Sequence, residues 1–459
     1  MLNDGSQVLL SVEAEAYLEA LEKFTVKDVG NISWTRQHEH IEKLNMQAAI
    51  SASAHEDEFV KESLISLGKI PVLIHDLLVT EVWKEKVFPE LLEMEFNPKT
   101  TFPLYMVLYH EATVANLLET VMFHCEVCES ADDAILDLVD YCNRKLVYLV
   151  TQTAESDDEA DITEEVVTSA TSASTMEELE RLSKKLDFDI SIKALSLLRY
   201  VTDHFDVLPL SIMTRILNTH DIPIILVELV QNPPWTRRKE GQLYKYIENK
   251  WQQVSNEDRF KVTKIEGQIW IALFHLLMEQ NCQQKYDLNS HRKNTLLKLR
   301  SHLTEVMLDQ LPILAEMQRY LEQLSMVEPP PFKKDLVLEQ VPEIRDGILR
   351  QFDGRWSKLA KHQAKTTFNP TDDMIKEQAK RFVDTYNFDI LEGLLTDPPK
   401  CAVCGEPASK RCSRCQNEWY CRRECQVNHW KRHKKACDLL FESEKNSKQA
   451  ADKSSQPTS

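Results

Sequence analysis

Residues 401–437 read CAVCGEPASKRCSRCQNEWYCRRECQVNHWKRHKKAC, and this stretch decides the architecture of the C-terminal part of the chain. Seven of the eleven cysteines of the 459-residue chain fall within it. With one histidine they form the pattern C-x2-C-x7-C-x2-C-x5-C-x3-C-x7-H-x3-C. Eight sulfur or nitrogen donors complete two tetrahedral zinc sites, so we expect two structural Zn²⁺ ions with no open position for catalysis. The candidate ligands are Cys401, Cys404, Cys412, Cys415, Cys421, Cys425, His433 and Cys437.

The spacing also shows why one metal ion is not enough. Cys421 and Cys425, like His433 and Cys437, are four residues apart and share a face if their segments are helical. On one helix the two pairs would be turned about 120° from each other, so one ion could not accept both. The spacing leaves a sequential and an interleaved pairing of the ligands open. A segment this short has too little core to fold alone, so metal binding supplies its folding free energy, on the order of 10 kcal/mol per site.

The residues around the ligands resemble the MYND zinc finger family. The resemblance rests on the segments Lys410-Arg411-Cys412-Ser413, Trp419-Tyr420-Cys421 and Cys425-Gln426-Val427-Asn428-His429-Trp430. It implies an interleaved pairing, with Cys401, Cys404, Cys421 and Cys425 on the first zinc and Cys412, Cys415, His433 and Cys437 on the second. It also implies a shallow groove for proline-containing peptides, formed by Ser413, Gln426 and Trp430. The alternative for Trp430 is a core tryptophan that braces the finger.

The charge of the chain is unevenly distributed. Residues 401–437 contain nine Lys or Arg and three Glu, a formal charge of +6. Residues 1–400 have a formal charge of −23, and the whole chain has −18. Counting seven thiolates and two Zn²⁺ leaves the finger at about +3, a weak attraction for DNA. Because the acidic body repels phosphate backbones, no nucleic acid is expected as a partner.

The rest of the chain has the pattern of an all-α protein. Nine glycines in 459 residues, with no G-x-G and no G-x-x-x-x-G-K-[ST], exclude the usual phosphate-binding loops. Ala194, Leu197, Leu198 and Val201 have the i, i+3, i+4, i+7 spacing of a helix face. Three similar helix starts, at Ile70-Pro71, Ile222-Pro223 and Leu311-Pro312, predict an irregular solenoid of helices resembling armadillo or HEAT repeats. The alternative is ordinary helix starts in an irregular bundle.

Composition divides the chain into six segments. Seven acidic residues followed by a Ser/Thr/Ala run predict a flexible acidic loop at 151–177. Proline clusters at 329–331 and 398–399 mark two further joints. We therefore predict helical domains at 1–150 and 178–328, a helical segment at 329–397, the finger at 398–440 and a disordered tail at 441–459.

Other residues that suggest chemistry have simpler explanations. His110-Glu111 resembles the start of a metalloprotease motif, but Val114 stands where the second histidine belongs. His38 and His40 are two residues apart and so lie on different faces of a helix. The N-terminus does not have the pattern of a signal peptide, and the longest uncharged apolar stretch, 267–278, is too short for a membrane span. We expect a protein of a reducing compartment, and buried structural cysteines at 125, 128 and 142.

The body resembles MYND-finger proteins that assemble axonemal dynein arms. The segments that carry this resemblance are 101–107, 129–133, 136–142, 193–200 and 335–340. It implies a non-enzymatic cytoplasmic scaffold for pre-assembly of inner and outer dynein arms in cells with motile cilia, located in dynein assembly particles and at the centrosome or centriolar satellites. The implied partners are dynein chains, chaperones and other dynein assembly factors. The alternative is a nuclear co-regulator that recruits corepressors through its finger.

Overall fold

The structure is a computed structural model of the whole chain. It describes residues 8–55, 57–94, 96–152, 175–239, 241–328, 340–371, 374, 401–404, 408, 410–414, 419–430, 433, 434 and 437. Gln7–Thr385 forms one compact unit, the body, and Tyr386–Ser459 together with Met1–Ser6 forms another, which contains the finger. The two units are considered separately below.

The described body consists mainly of α-helices. Its all-α class confirms the prediction from the sequence. The helices are α1 Ser11–Glu19, α2 Ile32–Ala54, α3 Phe59–Ser66, α4 Ile70–Lys86, α5 Phe88–Glu93, α6 Phe102–Val121, α7 Cys125–Ser130, α8 Ala134–Thr151, α9 Thr175–Asp203, α10 Leu210–Thr214, α11 Ile222–Gln231, α12 Lys264–Met278, α13 Gln280–Lys285, α14 Ser290–Leu297, α15 Glu305–Gln310, α16 Leu314–Met326, α17 Ile344–Phe352 and α18 Trp356–Thr366.

Proline positions several of these helix starts. α4 and α11 begin at Ile70 and Ile222 with proline in the first turn, as the sequence predicts. There the missing N–H costs no hydrogen bond. Pro312 differs, because it lies in the turn before α16 and accepts a hydrogen bond from the Ala315 N–H through its carbonyl.

One hydrophobic core extends through the body from Leu9 to Phe368. α6 packs against α2, α4 and α9, and α9 packs in turn against α6, α8 and α12. Side chains from both predicted helical domains therefore share one core, while the predicted domain boundaries stay predictions. Residues 153–174, 329–339, 375–400 and 441–459, which include most of the acidic loop, the second joint and the tail, lie outside the described residues.

The body also contains a three-stranded antiparallel sheet that the sequence analysis missed. β1 (Thr236–Lys239) pairs with β2 (Gln242–Ile247), which pairs with β3 (Lys250–Val254). Glu248 and Asn249 both have positive φ, as the two-residue turn between β2 and β3 requires. Tyr246 of β2 is buried, and the rings of Tyr246 and Trp251 pack against Phe188 of α9. The sheet is thus anchored on one face to the longest described helix.

The last two described helices of the body pack on its N-terminal part. The buried Gln363 of α18 accepts a hydrogen bond from Trp83 Nε1 at 2.9 Å and donates one to the Val26 carbonyl at 3.0 Å. Phe368 is fully buried against the Trp83 ring. These contacts join residues about 280 to 340 positions apart in sequence, so α18 packs against the N-terminal residues of the body.

Two buried polar clusters lie inside the helical core. In the first, His110 Nε2 lies 2.9 Å from Asp76 Oδ2, and His110 Nδ1 lies 2.9 Å from His38 Nδ1. Burial, and then the neighbouring His110, lower the pKa of His38 well below its usual value. His40 lies elsewhere, stacked on Tyr17.

The second cluster surrounds Glu111, which is completely buried. Its two carboxylate oxygens are 2.8 Å from Lys84 Nζ and 2.7 Å from Lys145 Nζ, and Tyr141 donates a hydrogen bond at 2.8 Å. Burial alone would raise the pKa of Glu111, but Lys145 and Lys84 hold it well below the usual range. His110 and Glu111 therefore belong to two separate buried networks that brace the core.

Three cysteines of the body lie away from the finger. Cys128 and Cys142 are buried, and Cys125 is half-buried. Burial raises the pKa of the Cys128 thiol to about 12, and the thiol donates to the Met122 carbonyl at 3.3 Å. Among the described residues, no single helix is long and apolar enough to cross a membrane; Phe59–Ser66 and Ile70–Glu93 reach that length only together, across a 94° bend.

Gly30 tests the packing of the residues that directly follow α18 against the N-terminal part of the body. Its φ is +82°, and a Cβ there would lie 2.8 Å from Thr367 Cγ2 and 3.0 Å from the Phe368 ring. Gly30→Ala is therefore expected to lower the free energy of unfolding by about 3 kcal/mol, from the left-handed backbone and the collision together.

Gly354→Ala is the matched control, because Gly354 also has a positive φ, +66°, but has no neighbour within 4 Å of the added Cβ. It should cost only about 1 kcal/mol. Urea denaturation of both variants measures the difference. Equal losses of unfolding free energy would show that Thr367 and Phe368 do not pack against Gly30.

Candidate metal centre

Four cysteine sulfurs of the finger converge on one point. The Sγ atoms of Cys401, Cys404, Cys421 and Cys425 all lie within 4.8 Å of one another. Cys404 and Cys421 are 3.4 Å apart, Cys421 and Cys425 3.7 Å, and Cys425 and Cys404 3.9 Å. A tetrahedral zinc with bonds of about 2.3 Å requires sulfurs about 3.8 Å apart, whereas a disulfide requires about 2.05 Å. The four sulfurs therefore fit a Zn²⁺ ion and not two disulfides.

A short hairpin and a helix position these sulfurs. β4 (Lys410–Arg411) pairs with β5 (Trp419–Tyr420), and Cys421 follows β5 directly. The Ala402 N–H donates to the Trp419 carbonyl at 3.0 Å, which holds the first cysteine pair beside the hairpin. Residues 423–430 are helical and carry Cys425 back towards Cys421. Ligands from three separate segments thus meet at one site.

The electrostatics of this cluster require a cation. Burial opposes ionisation of Cys401, yet the N–H groups of Cys421, Cys404 and Val403 lower the pKa of its thiol to about 6. The neighbouring Cys404 sulfur, together with burial, raises the pKa of Cys421 to about 12. The backbone therefore favours one thiolate, and its neighbours resist a second. A divalent ion removes this conflict, because metal coordination deprotonates thiols outright.

The second donor group contains Cys412, His433 and Cys437. All three are buried, and the Cys412 and Cys437 sulfurs lie 3.9 Å apart. Cys415, the fourth predicted ligand, lies outside the described residues. The two groups follow the interleaved pattern, since Cys412 stands with His433 and Cys437 while Cys401 stands with Cys421.

His429 lies one helical turn before the donor His433 and has a different partner. Its Nδ1 lies 3.0 Å from the Tyr420 hydroxyl, and its ring stacks on that of His433 at 5.7 Å. Tyr420 is almost completely buried. His429 thus braces His433 from behind the donor group, a role that the sequence analysis missed.

The predicted peptide-binding residues are accessible to different degrees. Ser413 is exposed, Gln426 is half-buried, and Trp430 is 37% exposed. The Trp430 ring meets the His433 ring edge to face at 6.0 Å, so one side of the indole braces the finger and the other faces solvent. Trp430 is therefore not a fully buried core tryptophan.

Comparison with known proteins identifies the family. Residues 401–437 match the MYND finger family. The chain is 32% identical over 451 residues to zinc finger MYND domain-containing protein 10 homolog of Drosophila melanogaster, covering 93% of this chain and 98% of that protein. The chain belongs to this family. No solved structure matches it.

Two plant enzymes share only the finger region. Ubiquitin carboxyl-terminal hydrolase 17 of Arabidopsis thaliana is 46% identical over 44 residues, which is 9% of this chain and 6% of that protein. Ubiquitin C-terminal hydrolase 15 of Oryza sativa is 49% identical over 39 residues, 8% and 4% respectively. This similarity covers the finger and none of the body. The finger is thus a structural zinc-binding module, of a kind that serves protein–protein interaction.

Zinc stoichiometry tests the first donor group. The wild-type protein should contain two equivalents of zinc, and Cys421→Ala should contain fewer, because three sulfurs hold the ion more weakly and the finger loses folding energy on the order of 10 kcal/mol per site. Elemental analysis of the purified full chain gives the count, and limited proteolysis shows whether residues 401–437 become accessible.

Cys125→Ala is the control, since Cys125 is a half-buried cysteine outside both donor groups. It should retain both equivalents. Two equivalents in Cys421→Ala, or one lost in Cys125→Ala, would mean that the donor groups are wrongly assigned.

Proposed function

We propose that this chain is a non-enzymatic cytoplasmic scaffold that serves pre-assembly of inner and outer axonemal dynein arms. The observation that carries the proposal is the 32% identity over 93% of the chain, since it spans the body and the finger together and agrees with the resemblance to dynein arm assembly factors. The physical features are compatible with a scaffold. Every described cysteine in 401–437 belongs to one of the two donor groups, where it is placed for structural metal binding.

The finger is the proposed peptide-binding part. Ser413, Gln426 and Trp430 would contact an extended, proline-containing segment, with the exposed side of the indole packing on the proline ring. Because Trp430 rests on His433, the position of the indole depends on the second donor group. Zinc holds that group together, so the groove is rigid before a peptide arrives and little conformational entropy is lost on binding.

The body is the proposed holder of a second partner. Dynein heavy chains are long and expose segments before assembly, and they need partners that bind without chemical turnover. A large helical surface can hold a dynein chain or a chaperone while the finger recruits another assembly factor. Two modest affinities then combine through a high effective concentration. We place this activity in cytoplasmic dynein assembly particles, with a further pool at the centrosome or centriolar satellites.

The groove is tested by affinity purification from ciliated cells. Trp430→Ala should lose the finger partners by at least about tenfold and keep two equivalents of zinc, because the indole is an interface anchor and not a ligand. Asn428→Ala is the matched control. Asn428 is exposed and lies in the same helix, but it is two residues from Trp430 and therefore faces a different direction. Equal partner recovery in both variants would remove the groove from the proposal.

The division of work between the parts is tested by rescue. In cells that lack the protein, a chain without residues 395–459 should fail to restore dynein arms, while the full chain restores them. Full restoration by the shortened chain would overturn the two-part scaffold. Imaging of the full chain in the same cells decides the location, since nuclear foci would instead favour the co-regulator alternative.

A further inference from the structure

The three-stranded sheet carries a positive charge on a strongly acidic body. Residues 236–261 contain seven Lys or Arg and four Asp or Glu, whereas residues 1–400 together carry −23. Only one face of the sheet packs on α9, through Tyr246 and Trp251. The opposite face carries Arg238, Leu243 and Val254, which stand opposite one another in the strand register.

A cavity of about 370 Å³ opens on this part of the sheet. Leu243 and Val254, both half-buried, form its apolar floor. Arg238 and Arg259 also line it, together with Ser255 and Asn256 from the segment that follows β3. Within the part of the chain that the structure describes, no Asp or Glu lines this cavity. We call this cavity the sheet groove.

The two arginines of the sheet groove differ from other basic residues of the sheet. Lys245 lies on the same face further along β2 and is paired, 3.1 Å from Glu266 and 3.0 Å from the Lys261 carbonyl. Arg238 and Arg259 have no hydrogen bond or ion pair to any described residue, although Arg259 lies over its neighbour Phe260. Asp258, the acid next to Arg259 in sequence, is hydrogen-bonded to Ser255. Two exposed guanidinium groups, neither of them paired with a described residue, thus line one groove in a chain with a large excess of carboxylates.

This arrangement fits carboxylates from outside the chain. Guanidinium groups bind carboxylates in pairs of parallel hydrogen bonds, so each arginine can hold one carboxylate of an acidic segment. The apolar floor suits an aliphatic side chain between two acidic ones. A nucleic acid suits the site less, because its continuous phosphates would extend over the acidic body and be repelled.

We infer that the sheet groove is a docking site for an acidic, extended peptide segment of a partner protein, held by Arg238 and Arg259. This site is separate from the finger and does not depend on the peptide specificity of Trp430. It would allow the body to select a partner by charge. Ionic strength should weaken the contact, since the guanidinium groups are exposed and screened by salt.

The test uses the full chain and a fluorescein-labelled peptide, Glu-Leu-Glu-Ser-Glu-Leu-Glu, followed by fluorescence anisotropy at 50 and 300 mM NaCl. The wild-type protein should bind it at low salt, several-fold more weakly at high salt, and should not bind the same peptide with Gln in place of Glu. The double variant Arg238→Glu with Arg259→Glu should lose at least tenfold in affinity. Arg238→Lys with Arg259→Lys should lose less, because charge remains while the paired hydrogen bonds are lost.

Lys264→Glu is the control for a charge reversal outside the groove, because Lys264 is 77% exposed and does not line the cavity; Arg238→Glu alone makes the same change of −2 within the groove. Lys264→Glu should change the affinity by less than twofold, and thermal melting should confirm that all variants remain folded. An equal loss in Lys264→Glu would overturn the site in favour of diffuse attraction, and unchanged binding in the Glu double variant would place the peptide on the basic finger instead. Tighter binding of a single-stranded RNA of similar length, lost in the same double variant, would overturn the peptide as occupant.

Discussion

Four sulfurs within 4.8 Å of one another cannot all ionise without a cation, and the C-terminal module depends on this constraint. The described finger buries little besides its own ligands: Tyr420 and Ala408 are the further members of its small core. Apolar burial of this size cannot offset the conformational entropy of ordering about 40 residues. The free energy must therefore come from metal coordination. Every surface feature of the finger, the half-exposed Trp430 included, is held in place by the same donors.

The body, in contrast to the finger, is stabilised by apolar burial. Its apolar core is large enough to hold charges inside, and the fully buried Glu111 is tolerated because two lysines and a tyrosine satisfy its oxygens. Removing Glu111 would take away the carboxylate that both buried lysines share, so the network fixes the relative position of α4, α6 and α8. Gln363 performs the same task with neutral groups, joining α18 to the N-terminal residues. A surface built on such a core changes shape little when partners bind.

The sequence predicted the features that depend on local chemistry. Ligand spacing defined the zinc-binding segment, and helical periodicity with proline at the first turn defined α4 and α11. The features that it missed depend on residues distant in sequence. His38 and His110 are 72 positions apart, and no sequence pattern links them. The packing of α2 against α6 brings their Nδ1 atoms to 2.9 Å from each other. The sheet was missed for a local reason, because its strands are short and rich in Lys, Arg and Gln, with weak apolar alternation. The turn at Glu248-Asn249 between two Tyr- and Trp-containing runs was the signal that could have revealed it.

The charge distribution limits where an acidic partner can bind to the chain. Residues 1–400 carry −23 and disfavour acidic partners in general. They therefore confine any acidic segment to the few places where basic residues outnumber acidic ones. The described body has such a place at the sheet, and the finger is a second. The apolar floor and the two arginines of the sheet groove would select acidic segments of limited length, since a longer one would run onto the repulsive surface beside it. Repulsion around a small attractive site raises specificity without raising affinity, which suits the proposed scaffold.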